Sequence, residues 1–302
     1  NQLRMTMSYN SIVLVKQVPD TANISGEVMK PDGTVNRAIL PAIFNPEDKV
    51  ALELALQVRD QYGGTVKVIT MGPPKASDIL RECLYMGADE AYLISDRKFA
   101  GADTLATSYV LAETIKTIGN FDLIFGGRQA IDGDTAQVGP QTAEKLGIPQ
   151  VTYAEEIKKI NKNAITIKRK TDGGSELVEA KIPVLITVIK EAATPRPFKA
   201  KRVMAYKNAR TLMELEKMAE GNSLLYIDQL KDEYITKNLF IKTITTDDLD
   251  VELERCGIAG SPTKVHKVES VVLGASAHET IEPSKEALGK LVEKLMEDHI
   301  FG

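Results

Sequence analysis

The segment Gly126-Gly127-Arg128-Gln129-Ala130-Ile131-Asp132-Gly133-Asp134-Thr135-Ala136-Gln137-Val138-Gly139-Pro140 concentrates the residue types that hold a phosphate-bearing ligand. Glycines let backbone N–H groups approach a ligand closely, and a helix N-terminus turns free N–H groups toward an anion. Asp132, Asp134 and Thr135 have side chains that cap a helix or hydrogen-bond a ribose hydroxyl. The glycine spacing is not G-x-G-x-x-G, so the dinucleotide fingerprint is not met. A turn in which Gly126 and Gly127 serve only the backbone is the plainer alternative. Side-chain acid–base chemistry has less support. The three histidines, His266, His278 and His299, all lie near the C-terminus, and the chain holds no G-x-S-x-G, H-E-x-x-H or Walker A pattern.

The elements around this segment must deliver it to a ligand. An apolar run, Phe121 to Phe125, predicts a strand before it, and Thr135 to Leu146 reads as a helix after it. Ser11 to Val15 reads as a buried strand. Asn45-Pro46-Glu47-Asp48 opens a helix to about Tyr62, with asparagine at the N-cap, proline at N1 and acids in the first turn. Thr65 to Met71 and Glu90 to Ile94 read as strands. Ala76 to Met86 reads as a helix, and Asp103 caps another from Thr104 to Ile118. Strands alternating with helices predict an α/β fold with a mostly parallel, Rossmann-like sheet. Such sheets bind ligands at the carboxyl ends of their strands, near the topological switch point. The loops at Lys16 to Asp20, Phe44 to Pro46, Met71 to Pro73 and 126–140 would then share one edge and one composite site. Lys16, just after the first strand, is either a solvated strand-end lysine or a charge beside a phosphate or flavin edge.

After Pro149 the pattern changes. Ala164 to Lys170 and Leu177 to Lys181 alternate around Thr171-Asp172-Gly173-Gly174, which predicts a β-hairpin insertion. Pro183 to Val188 reads as an apolar strand leading to Thr194-Pro195-Arg196-Pro197, a proline-stiffened turn suited equally to recognition and to structure. The basic group Lys199, Lys201 and Arg202 reads as a solvated face, with a docking patch as the lesser alternative. Met213 to Glu220 reads as a helix, and Pro283 opens a last one with an apolar stripe at Leu288, Leu291, Val292 and Leu295. The expected division is a nucleotide-binding α/β domain over 1–210 and a C-terminal extension over 211–302.

Composition narrows the classes. At 302 residues there is room for one large α/β domain with an appendage, or for two modest domains. A formal charge of −4 argues against a nucleic-acid surface. No apolar run reaches the length of a membrane-spanning helix. Residues Asn1 to Asn10 lack the apolar stretch of a secretory leader and read as extra residues ahead of a natural start. Cys83 and Cys256, far apart and without a C-x-x-C partner, fit small buried residues in a reducing cytoplasm better than a disulfide framework or zinc site.

Taken together, these motifs resemble the β (small) subunit of electron-transfer flavoproteins over essentially the whole chain. The likeness rests on Val15-Lys16-Gln17-Val18-Pro19-Asp20, Asn45-Pro46, Met71-Gly72-Pro73 and Gly127-Arg128-Gln129-Ala130-Ile131-Asp132. It also rests on the hairpin stretch Ile167 to Leu177, continuing to Pro183-Val184-Leu185-Ile186-Thr187. The resemblance implies an adenine-nucleotide-binding fold paired with an FAD-bearing α subunit. By the same likeness the nucleotide site comprises Val15, Lys16, Asn45, Met71, Gly127, Gln129, Asp132, Gly133, Asp134, Thr135, Ala136, Gln137, Val138 and Gly139. Lys16 and the Thr194-Pro195-Arg196 turn would lie nearer the flavin ring or the subunit interface, with Thr194 to Ala200 matching the dehydrogenase-recognition loop. The prolines there depart from the simple members.

Within that family, Asp132 to Pro140 resembles the electron-bifurcating and nitrogen-fixation-associated types. Such a β subunit holds FAD that takes a hydride from NADH. It sends one electron to ferredoxin or flavodoxin and the other through the α-subunit FAD to a dehydrogenase of acyl-CoA, enoyl-CoA or lactate type. Gly133 and Ala136 would leave room for the diphosphate and the second half of that ligand. The alternative is a simple β subunit with structural AMP. A third reading, an ATP-hydrolysing relative, lacks its phosphate-loop lysine. In the leading reading no side chain carries acid–base catalysis, because the cofactor carries the chemistry. The C-terminal extension would pack on the α subunit or the dehydrogenase.

Overall fold

The computed structural model describes residues 8–20, 41–220, 224–263 and 280–297. The chain divides into two compact units, Asn1–His266 and Lys267–Gly302.

The first unit is built on a sheet of ten strands. Strand β1 (Ser11–Leu14) is followed by a short antiparallel pair, β2 (Gln17–Pro19) and β3 (Ala42–Phe44). Then come α1 (Pro46–Tyr62), β4 (Val66–Met71), α2 (Ser77–Met86), β5 (Glu90–Ile94), α3 (Thr104–Ile118) and β6 (Leu123–Gly127). After β6 a loop leads to α4 (Val138–Leu146) and three strands, β7 (Gln150–Asn161), β8 (Ala164–Thr171) and β9 (Gly174–Lys181). The chain returns through β10 (Val184–Val188) to α5 (Ala200–Tyr206), β11 (Arg210–Thr211), α6 (Leu212–Met218), α7 (Leu224–Thr236) and β12 (Phe240–Ile244).

Sheet order is β11-β12-β5-β4-β1-β6-β10-β7-β8-β9. From β11 to β7 every neighbouring pair is parallel; β8 and β9 continue the sheet as the antiparallel hairpin expected from Thr171 to Gly174. This is a Rossmann-like α/β fold. From β1 the chain builds outward through β4 and β5 on one side, then returns to place β6 on the other. The β1/β6 seam is therefore the switch point.

The central strands β1, β4, β5, β6 and β10 are buried on both faces, so their side chains alternate between two cores. Val13, Phe125, Val68 and Leu93 join α1 and α2 on one face. Ile12, Ile124, Ile69 and Ile94 join α3 and α4 on the other. Burying a side chain such as Phe125 contributes about 2 to 3 kcal/mol. Asp103 caps α3 as expected, accepting the N–H groups of Leu105 and Ala106 at 2.9 and 3.0 Å.

The structure departs from the sequence expectation at several points. Helix α4 begins at Val138 rather than Thr135, because Asp134 and Ala136 adopt left-handed φ values of 49° and 53°. The long strand β7 and the short strand β12 carry no strong alternation and are found only in the fold. Because β12 pairs with β5, the sheet extends past residue 210, and the contact boundary falls at 266/267 instead.

In the second unit the described residues hold α8 (Lys285–Glu297). Ser284 caps it through its hydroxyl, which accepts the Ala287 N–H at 3.2 Å, so Pro283 lies just outside the helix. Leu288 and Val292 are exposed on it. The three histidines lie outside the described residues. Among the described residues no helix is long and apolar enough to cross a membrane, and Cys83 and Cys256 are both buried and free.

Candidate functional site

At the switch point, β1 ends at Leu14 and continues through Val15 to Lys16, while β6 ends at Gly127 and opens the loop 128–137. Parallel register puts these two chain ends side by side, since Val13 pairs with Phe125. Helix α1 begins directly against them: the Asn45 N–H donates to the Lys16 carbonyl at 3.0 Å.

The first turn of α1 holds both ends. Asp48 accepts the Lys16 N–H on Oδ2 and the Gly127 N–H on Oδ1, each at 2.9 Å. Glu47 accepts the Gln129 N–H at 3.0 Å and pairs with Arg128 at 3.0 Å. Asn45 donates through Nδ2 to the Gln129 carbonyl at 2.9 Å and accepts the Ile131 N–H at 3.2 Å. The expected N-cap role of Asn45 is thereby corrected: it makes no side-chain cap bond, because the loop claims its amide. Gly127 is required by the same packing. A Cβ there would lie 2.4 Å from Asp48 Oδ1 and 2.8 Å from Glu47 Cβ. Its smallness serves the approach of α1.

Glu47 and Asp48 are buried, and the positive end of the α1 dipole favours acids at this position. They differ in their counter-charges. Glu47 has Arg128, whereas Asp48 has only amides. Burial pushes the Asp48 carboxyl up to about 7, and the Glu47 charge adds to that, against the pull of Asn45 and of the Gly127 and Lys16 N–H groups.

The loop closes over the β1 end. Lys16 Nζ bonds both Asp132 carboxylate oxygens at 2.8 Å. Gln129 Nε2 donates to Asp134 Oδ1 at 2.8 Å. Gln137 Oε1 accepts the Thr104 hydroxyl from α3 at 2.9 Å. Between these fixed points, the N–H groups of Thr135, Ala136, Gln137, Val138 and Gly139 make no hydrogen bond among the described residues. The left-handed Ala136 followed by a right-handed Gln137 is the alternation that turns successive N–H groups toward one point. A Cβ built on Gly133 meets nothing within 4 Å, so the loop is open there. Gly139 instead packs tightly, its position for a Cβ 2.7 Å from Thr187 Cγ2 on β10.

The structure thus brings Lys16, Asn45, Gly127, Gln129, Asp132 and Asp134 into one bonded cluster, with Val15 buried behind Lys16. Gly133, Thr135, Ala136, Val138 and Gly139 offer backbone rather than side-chain partners. Met71 ends β4, two residues past the Ile69 position that pairs with Leu14, on the same sheet edge. The loop after it is tied to Gln17, whose Nε2 donates to the Lys75 carbonyl at 3.4 Å.

Arg196 is bound to the flank of α1: Nε and Nη2 donate to Glu53 at 2.8 and 3.1 Å, and Nη1 to Asp60 at 2.9 Å. Four residues were missed as contributors. Glu47 and Asp48 read as ordinary first-turn acids, although Val50, Ala51, Leu52, Leu54, Ala55 and Leu56, apolar on most faces of the helix and interrupted only by Glu53, were a signal that this end is enclosed. Arg128 lay within the loop motif without a role of its own, and Tyr153 carried no signal; the guanidinium lies over the ring, 5.7 Å from its centroid, with Tyr153 at a φ of 58°. A cavity of about 310 Å³ lies between Pro140 and the Thr152, Arg169 and Val178 side of the hairpin.

The fold and the seam define a Rossmann-like α/β protein with its loops gathered at the carboxyl edge of a parallel sheet. Residues 32–212 match the electron transfer flavoprotein domain. The chain is 44% identical to the electron transfer flavoprotein subunit beta of Clostridium acetobutylicum, over 96% of this chain and 99% of that protein. It is 42% identical to the caffeyl-CoA reductase-Etf complex subunit CarD of Acetobacterium woodii, over 96% and 99%. It is 43% identical to the acryloyl-CoA reductase electron transfer subunit gamma of Anaerotignum propionicum, over 96% and 98%. The chain belongs to the electron transfer flavoprotein family and is a β-type subunit, acting in electron transport.

Proposed function

We propose that the switch-point cluster binds FAD and that the chain is the β subunit of an electron-bifurcating flavoprotein using NADH as donor. The observation that carries this is the run of five N–H groups, Thr135 to Gly139, without a hydrogen-bond partner among the described residues, on a loop left open at Gly133. A diphosphate needs several converging donors without competing side-chain anions, and this run supplies them. Lys16 would add a positive charge at the β1 end, and Asn45, Gln129 and Asp132 would define the walls. When bound there, FAD supplies the two-electron to one-electron chemistry that a protein of these side chains lacks. The protein's share is to bind, orient and shield.

The pairing with an FAD-bearing α subunit is part of this proposal, as are a flavin dehydrogenase and ferredoxin or flavodoxin as electron acceptors and the cytoplasm as the site of action. Two relatives carry the names of caffeyl-CoA and acryloyl-CoA reductase components, which supports a CoA-ester dehydrogenase as partner. The segment from 211 on is proposed to contribute to contacts with the α subunit or that dehydrogenase. Flavin counting in the purified heterodimer tests the reading. Two FAD per dimer are expected. One FAD with one AMP would leave a simple β subunit in which the same amides hold a single phosphate.

A further inference from the structure

The three polar side chains that begin α1 do something unusual for a helix start: none of them caps its own helix. Asn45, Glu47 and Asp48 instead hold backbone groups of two separate strand ends, at Lys16, Gly127, Gln129 and Ile131. Asp48 is the only one that spans the seam, with one carboxyl oxygen on each strand end. The absence of a Cβ at Gly127 lets that carboxyl reach in, and the N–H that it accepts immediately precedes the loop.

From this geometry we infer that Asp48 is a positioning residue for the nucleotide site, fixing the carboxyl ends of β1 and β6 at the separation from which Lys16 and the loop 128–137 face a common ligand. Glu47 supports it by holding the next loop amide and Arg128. The inference rests on the nucleotide reading above and assigns the site's preorganisation to residues that do not touch the ligand. Without the shared acceptor, the two N–H groups lie 2.9 Å from a group that no longer matches them, and the strand ends lose their tie. A buried N–H without an acceptor is costly, so the backbone would shift to find water. Lys16 and Gln129 would move with it.

The test uses the full chain in complex with its α partner, with Asp48→Asn and Glu47→Gln as variants. Asn has the size of Asp but only one acceptor atom, so it cannot serve both amides. FAD and AMP are the probes, titrated separately after the bound nucleotide is stripped. Backbone amide exchange is read in parallel. The expected result is at least a tenfold weaker Kd in Asp48→Asn and about threefold in Glu47→Gln. Faster exchange should be confined to Lys16, Gly127 and residues 129–131, while β4 and β5 keep wild-type rates. Wild-type affinity in Asp48→Asn overturns the inference and leaves the nucleotide reading intact. Faster exchange throughout the sheet also overturns it, since Asp48 would then be a general stability residue; Glu47→Gln supplies the reading if Asp48→Asn does not fold. A wild-type complex that binds neither probe, or binds without protecting residues 129–139, overturns both.

Discussion

Replacing Arg196 by alanine should destabilise the first unit by about 3 kcal/mol, because Glu53 is then left buried without its cation. The Glu53 side chain is only 6% exposed, against 17% for Arg196. In the native protein it accepts Arg196 Nε, Arg196 Nη2, the Arg196 backbone N–H at 3.0 Å and Gln57 Nε2 at 3.0 Å. Alanine retains the last two bonds, which places the loss at the lower end of the range for breaking a buried pair. Asp60, half exposed, adds no more than about 0.5 kcal/mol. Lysine retains the charge but not the fork, so Arg196→Lys should cost about 1 to 1.5 kcal/mol. The assay is thermal and denaturant unfolding of the full chain, with a loss of about 6 to 12 °C expected for alanine. An acid limb gives a second readout. Burial raises the Glu53 carboxyl, but the Arg196 hydrogen bonds and charge outweigh it and hold Glu53 below its usual range; Asp60 is lowered in the same way. Carboxyls with depressed folded values add stability above their unfolded pKa, and that stability is lost as pH falls through the folded one. Arg196→Ala should therefore flatten the loss of stability below about pH 4. A change under about 1 kcal/mol with an unaltered acid limb would refute the reasoning, because Glu53 would then be finding solvent that the structure denies it.

Asp48 should show the opposite sign. Its folded pKa is raised to about 7, so the stability it contributes is fully present below its unfolded value and is lost as pH rises toward 7. The full span corresponds to about 4 kcal/mol, of which about 2.5 kcal/mol falls between pH 5 and 7.5; comparing unfolding midpoints of the wild type and Asp48→Asn at those two values reads that part, and parallel curves would sink the assignment. Gly127→Ala should cost about 2 to 3 kcal/mol through its collision with Asp48 and Glu47. Gly133→Ala, facing open space, should stay within about 0.5 kcal/mol, and equal effects in chemical denaturation would contradict the packing. Lys16→Ala removes an ion pair that is half exposed, so stability should change by less than about 1 kcal/mol. Titration with FAD should nonetheless show weaker binding, with the gap to wild type narrowing at high salt; a salt-independent gap would argue against a charge role.

Some elements were legible because local signals coincided. Helix α3 has Asp103 as cap and an apolar pattern, and the strand Glu90 to Ile94 is a compact apolar run, so both match their expected bounds. Strand β7 was not legible. Its buried Val151, Ala154 and Ile160 break the two-residue alternation because bulges shift the register at Ala154/Glu156 and Ile157/Lys159. Strand β12 is five residues long and acquires its meaning only by pairing between β5 and β11. At the site, the loop's composition marked the region, yet Thr135 looked like a helix start. Two left-handed residues delay that start to Val138; Asp tolerates that region, but left-handed φ at Ala136 is not written in residue type.

By itself, the sequence determined the alternation of strands and helices and the sheet edge that collects the loops. Period, capping and turn chemistry are local, so they can be read along the chain. Tertiary structure alone decided that Asn45, Glu47 and Asp48 serve the strand ends instead of their own helix, that Gly127 makes room for a carboxyl, and that Arg196 belongs to α1. Each of these depends on a partner far away in sequence. Which donor meets which acceptor is settled by how buried groups find bonds once the sheet has closed around them.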